Sequence, residues 1–97
     1  PWRDALAEAL RAGVVLVASG GNVEGLPGFP AAGNGIVTVS HFGPDGEMVD
    51  GENVAGPQVD VAAPGRDILA VAPGETGGYG RGNGSSASAA IVSGVLA

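Results

Sequence analysis

The sequence predicts an α/β domain in which a parallel sheet carries flanking helices, and three features predict it. An amphipathic segment, Trp2 to Arg11, runs almost directly into the apolar run Val14-Val15-Leu16-Val17-Ala18. Short β-branched runs then recur between loops bearing glycine and proline, and the chain closes on an uncharged, alanine-rich segment, Ser85 to Ala97. An unbroken apolar strand is the signature of one covered on both faces, as in parallel sheets flanked by helices.

Taken in order, Trp2, Ala5, Leu6, Ala9 and Leu10 recur at helical spacing, with Asp4 in the first turn, Arg11 in the last and Gly13 where a C-terminal cap belongs. Val14 to Ala18 is the first strand and ends in Ser19-Gly20-Gly21-Asn22. Ile36 to Ser40 and Val59 to Ala62 are the next two, and Asp67 to Val71 is a fourth candidate. His41 to Pro57 carries several acids and glycines and reads as a solvated excursion. Pro73 to Gly84 reads as a glycine-dense loop, and Ser85 to Ala97, lacking a polar face, as a helix buried all round.

Composition narrows the function classes. Ten acids against four arginines and no lysine give a net charge of -6, which repels phosphate backbones and anionic headgroups, so neither nucleic-acid binding nor a membrane-surface role is expected. No apolar run reaches the ~18 residues of a membrane span, so no membrane insertion is expected, and Pro1 to Arg11 has no signal-peptide core. With no cysteine there is neither a disulfide framework nor a Cys-based zinc site. Nineteen glycines and seven prolines would suit a disordered chain, but a 44% hydrophobic fraction with only 14% charged residues implies a core with long loops. The chain starts without methionine, and its apolar last helix needs more cover than 97 residues offer. A fragment or processed product is therefore expected, one that alone exposes its last helix and aggregates or stays molten.

Two places could carry chemistry. In Gly84-Ser85-Ser86-Ala87, a hydroxyl pair leaves a glycine loop at a helix N-terminus, where unpaired amides and the dipole stabilise a developing anion. The same serines could simply cap the helix. Asn22 follows a buried strand, at the edge where open parallel sheets bind ligands, and its amide could donate to an oxyanion. Asn beside Gly also suits a turn.

Together these motifs resemble the C-terminal part of the catalytic domain of a subtilisin-like serine protease, a subtilase of peptidase family S8. The pieces stand in family order: Val14 to Asn22, Phe29-Pro30-Ala31, Ile36 to Ser40, Asp45-Gly46, Val59 to Gly65 with Asp67-Ile68, and Gly84-Ser85-Ser86 with Val92-Ser93-Gly94. The resemblance covers essentially all 97 residues. It implies a subtilisin-like parallel sheet with flanking helices and a serine endopeptidase acting on a polypeptide substrate through an acyl-enzyme. Ser86 matches the nucleophile, its own N–H one oxyanion donor and Asn22 the side-chain donor. Ser19, Gly20 and Gly21 match the strand flanking the P1 side chain and pairing with the substrate, and the two glycines would leave room for a large P1 group. No cofactor is implied for catalysis; a structural calcium is allowed, either in the acidic loop Asp45, Glu47, Asp50 and Glu52 or through carbonyls near Phe29 to Gly33. Extracellular or cell-envelope localisation is implied by family analogy.

Departures are equally specific. Ser85 replaces the family's threonine, Ala90 a proline, and Ile91 a frequent histidine or tyrosine. The catalytic Asp and His motifs of the family lie upstream of the matching region and are missing here, so the N-terminal half of the catalytic domain is the absent partner and the 97 residues alone should hydrolyse nothing. His41 falls after a strand and reads as a surface histidine, while Asp60 and Asp67 read as solvating and turn-bonding residues. One alternative is a non-catalytic subtilase-like remnant or interaction protein. Another is a nucleotide-binding module, because Gly82-Asn83-Gly84-Ser85-Ser86-Ala87 approximates Gly-x-Gly-x-x-Ala, although no strand is expected over Thr76 to Arg81 to precede it.

Overall fold

A computed structural model describes residues 1–48, 51, 52 and 54–97. The first element is helix α1, Trp2–Arg11. It stops in a double hydrogen bond: Gly13 N–H donates to the Leu10 carbonyl and Val14 N–H to the Ala9 carbonyl, both at 3.0 Å, with Gly13 at φ 85°. That 5→2 and 6→1 pairing is the Schellman motif, and the left-handed position explains the glycine. It also moves the first strand. Val14 is tied to the helix end, so strand β1 spans Leu16–Ser19 and Val14 and Val15 lie exposed ahead of it.

Strand β2 spans Ile36–Phe42 and strand β3 Val61–Pro64. The three strands form a parallel sheet in the order β1-β2-β3, with Leu16 opposite Ile36 and Val39 opposite both Ser19 and Val61. The central strand is the buried one. β3 begins two residues later than its apolar run, because Asp60 caps the ladder instead of joining it. Its N–H donates to the Thr38 carbonyl at 2.9 Å and its Oδ2 accepts the Thr38 N–H at 2.8 Å.

Strand β4, Ile68–Val71, pairs antiparallel with strand β5, Tyr79–Gly82, around a 3₁₀ turn at Thr76–Gly78. The stretch expected to be only a glycine-dense loop therefore contains the second strand of a ribbon. Gly80 and Gly82 lack the β-branched signature of a strand, and cross-strand pairing with Ile68 to Val71 supplies what local propensity does not.

Helix α2, Ser85–Leu96, packs across all three strands of the parallel sheet. Only Ser85 and Ser88 of it are buried, while Val95 is 78% and Leu96 52% exposed. The helix expected to be covered all round is covered on its sheet side alone by the described residues. No helix of the described residues is long and apolar enough to cross a membrane. Helix α1 buries no residue and leans on the loop before β2, with Leu10 against Gly35 and the Arg3 guanidinium 5.6 Å from the Phe29 ring centre.

One contact fixes α2 on the sheet. A Cβ at Gly65 would fall on His41 Cβ, 2.5 Å from Ser88 Oγ and 2.9 Å from the Gly84 carbonyl oxygen. Glycine is therefore required where β3, β2 and the start of α2 converge. Gly65→Ala is expected to destabilise the protein by about 3 kcal/mol, the upper end of ordinary overpacking. A urea-unfolding midpoint lowered at unchanged m-value is the measurement that checks it.

Candidate functional site

The C-terminal end of β1 and the N-terminus of α2 meet, although 63 residues separate them in sequence. Helix α2 starts at Gly84, whose φ of 133° favours glycine and which offers no capping side chain. The cap comes from Asn22. Its Oδ1 accepts the Ser85 N–H at 2.7 Å and lies 2.8 Å from Ser85 Oγ. A backbone N–H can only donate, so the Ser85 N–H settles the orientation of the side chain, leaving Nδ2 as its outward donor. A Cβ at Gly84 would stand 3.1 Å from that Nδ2, so a side chain there would crowd it.

Ser85 is the buried member of the hydroxyl pair. Its Oγ accepts the Gly21 N–H at 3.2 Å and can give its single proton either to the Gly21 carbonyl, at 3.0 Å, or to Asn22 Oδ1. Ser86 is exposed, on the second residue of the helix. Helical geometry gives its N–H no intrahelical acceptor, and the first turn contains no acid to neutralise the positive dipole end. An exposed hydroxyl, a free amide and a side-chain amide donor held beside the same helix end form a place where negative charge on an oxygen can be stabilised.

The remaining expected site residues belong to the same edge. Ser19 ends β1, Gly20 N–H extends the ladder to the Val39 carbonyl at 2.8 Å, and Gly21 takes φ 120°. The Gly20 and Gly21 amides are thus engaged within the protein, and the Gly21 carbonyl lies within reach of the Ser85 hydroxyl. Val54 borders the space left by the two absent side chains: a Cβ at Gly20 would lie 3.3 Å from the Val39 carbonyl oxygen and 3.5 Å from Val54 Cβ, and one at Gly21 3.2 Å from Val54 Cγ2.

The loop before Ser86 is held from the other side as well. Gly84 N–H donates to the Gly65 carbonyl at 2.6 Å, and Asp67 N–H to Asn83 Oδ1 at 2.8 Å. Asp67 sits at φ 58°, a left-handed position that Asp tolerates better than most residues. Its carbonyl accepts Arg81 Nη1 at 2.9 Å. The turn-bonding role expected of Asp67 is the one observed, and Asp60 bonds the Thr38 amide as described.

His41 corrects its expectation. It is fully buried on β2, not at the surface, because the central strand lies between α2 and the loop that follows it. Among the described residues neither ring nitrogen finds a hydrogen-bond partner; Nε2 lies 3.5 Å from Glu52 Oε2, which also meets Arg66 Nη1 at 3.3 Å. Of the acidic-loop residues, Asp50 lies outside the described residues. Among the described residues no three His, Asp or Glu side chains gather. Near Phe29 to Gly33, the Gly28, Pro30 and Ala31 carbonyls accept bonds from Ala32 N–H, Gly33 N–H and the Thr38 hydroxyl. The residues preceding Gly82 form an exposed antiparallel ribbon, not the buried parallel strand that a dinucleotide-binding turn follows.

The sequence profile of the subtilase family matches residues 1–97. The chain belongs to the subtilase family. Among solved structures, this subtilase is similar to the prenylagaramide maturation protease PagA, at 30% sequence identity and a TM-score of 0.85. The match covers 96% of this chain and 34% of that one, so the chain spans about a third of the length of that protease. A comparison with curated protein sequences finds no match.

The sequence singles out Asn22 and Ser86 as candidates but not the contacts that surround them. Ser85 is visible in the sequence as one of the hydroxyl pair at the helix start, a possible cap standing in place of the family's threonine, Gly65 only as the end of the Val59 to Gly65 piece, and Val54 not at all. Ser85→Ala removes the hydroxyl that accepts the Gly21 amide and is expected to destabilise the protein by about 1–2 kcal/mol. Chemical denaturation of the variant beside the parent protein checks this.

Proposed function

We propose that the chain is the nucleophile- and oxyanion-bearing part of a subtilisin-like serine endopeptidase. The observation that carries this reading is the orientation of Asn22, whose oxygen is committed to Ser85 and whose Nδ2 is left to donate at the helix end that bears Ser86. In the reaction, Ser86 Oγ attacks the carbonyl carbon of a peptide bond as its proton passes to a histidine supplied by the remainder of the catalytic domain. The carbonyl oxygen becomes an oxyanion held by Asn22 Nδ2 and the Ser86 N–H. Collapse expels the amine, which takes the proton from the histidine, and leaves an ester on Ser86. Water, deprotonated by the same histidine, then hydrolyses that ester and returns the serine. The substrate is a polypeptide, with Ser19 to Gly21 flanking its P1 side chain. Without a base, serine Oγ is a weak nucleophile at neutral pH, so these 97 residues by themselves hydrolyse essentially nothing.

The test uses the protease in which this chain is joined to the rest of its catalytic domain. A fluorophosphonate probe is expected to label Ser86 there and to leave Ser86→Ala unlabelled and inactive; an unlabelled parent protein favours the non-catalytic remnant. Asn22→Ala is expected to lower kcat by about 10² to 10³ with little change in KM, the loss found when a comparable oxyanion donor is removed from subtilisin, from which the magnitude is taken. A kcat equal to that of the parent overturns the oxyanion role.

A further inference from the structure

Gly20 and Gly21 have no side chains, so what stands behind them is decided by another segment of the chain. That segment is the loop after β2. Val54 is 2% exposed, and its side chain lies against both glycines, with Cβ and Cγ1 at 3.5 and 3.6 Å from a Cβ built on Gly20 and Cγ2 at 3.2 Å from one built on Gly21. Val54 is not free to retreat. Its carbonyl accepts the buried Ser40 hydroxyl of the central strand at 3.0 Å. Val54 and Gly25 form a parallel bridge, and Ala55 N–H donates to the Gly25 carbonyl at 2.9 Å. Glu24 N–H donates to the Gly51 carbonyl at 3.2 Å. The loop is thus stitched to β2 on one side and to the segment just beyond Asn22 on the other.

We propose that Val54 is a specificity-determining residue that sets, from behind, the position of the Ser19 to Gly21 wall and so the size of P1 side chain the protease accepts. This rests on the endopeptidase reading above, in which that wall flanks P1. The physical reason is that a close-packed interior transmits a change of even one methylene, and a two-glycine wall has no side chains to absorb it. A β-branched side chain, stiff at χ1, makes the backing rigid. Truncation lets the wall move toward the loop and widens the site; enlargement pushes the wall outward and narrows it. Val54 touches the wall and not the substrate, so it acts through Gly20 and Gly21.

The experiment compares the complete protease with its Val54→Ala and Val54→Ile variants on two peptides that differ only in carrying Phe or Ala at P1. Fluorophosphonate labelling of Ser86 is measured alongside. The ratio of kcat/KM for Phe over Ala is expected to rise about tenfold in Val54→Ala and to fall by a similar factor in Val54→Ile, the scale on which apolar pockets discriminate a methylene. Labelling of Ser86 by the small probe stays at the parent level. A ratio that stays constant, or that moves the same way in both variants, while Ser86 is still labelled, overturns the role of Val54. If Val54→Ala does not fold, an unchanged ratio in Val54→Ile is enough to overturn it. A parent protein that neither labels nor cleaves overturns the endopeptidase reading and this assignment with it.

Discussion

Helix α2 begins at a glycine that cannot cap it, and the acceptor it lacks arrives from Asn22, 63 residues away in the chain. An amide side chain has one oxygen and one nitrogen end. Committing the oxygen to the Ser85 N–H settles where the nitrogen donates, so the bond that starts the helix also orients the donor beside Ser86. The geometry of β1, β2 and α2 all bears on this one contact, because it forms only when the end of the first strand and the start of the last helix lie side by side. Gly84 is part of the same constraint, since a side chain there would crowd the Asn22 amide.

The parallel sheet accommodates that requirement with a central strand that is unusually polar for its burial. Thr38, Ser40 and His41 are all fully buried on β2. Thr38 binds the Ala31 carbonyl and Asp60, and Ser40 binds the Val54 carbonyl. Each buried hydroxyl holds the backbone of a neighbouring loop, so the strand organises its surroundings by hydrogen bonds as well as by apolar packing. Such groups are tolerated inside a protein because their partners are provided. Among the described residues His41 departs from this rule, and its Nε2 lies 3.5 Å from the carboxylate that also meets Arg66. Gly65 then joins β2, β3 and the turn at Gly84 at a point with no room for a methyl group.

Much of this arrangement was legible in the sequence, unevenly and for definite reasons. The first helix announces itself by apolar spacing, terminal charges and Gly13, because these signals act within a few residues. Asn22 and Ser86 were legible as an ordered pair of motifs, each at the end of a recognisable element. The β5 strand was hidden because Gly80 and Gly82 carry no strand propensity and pairing with β4 decides their conformation. The first strand starts later than its apolar run because the helix cap claims Val14. His41 looked like a surface residue, since a titratable side chain at a strand end is ordinarily solvated and nothing local reveals what covers it.

By itself the sequence determined the α/β pattern, the parallel sheet and the membership of the motifs in one family, and it singled out Asn22 and Ser86 as candidates. Those properties follow from hydrophobic period, glycine and proline placement, and residue chemistry, which are local and can be read in order along a chain. Only the tertiary structure decided which end of the Asn22 amide is free, that Ser85 and not a neighbouring side chain holds it, and that Val54 lies against Gly20 and Gly21. Those are contacts between residues dozens of positions apart. They depend on strand register and on which face each side chain takes, and no short-range pattern encodes either.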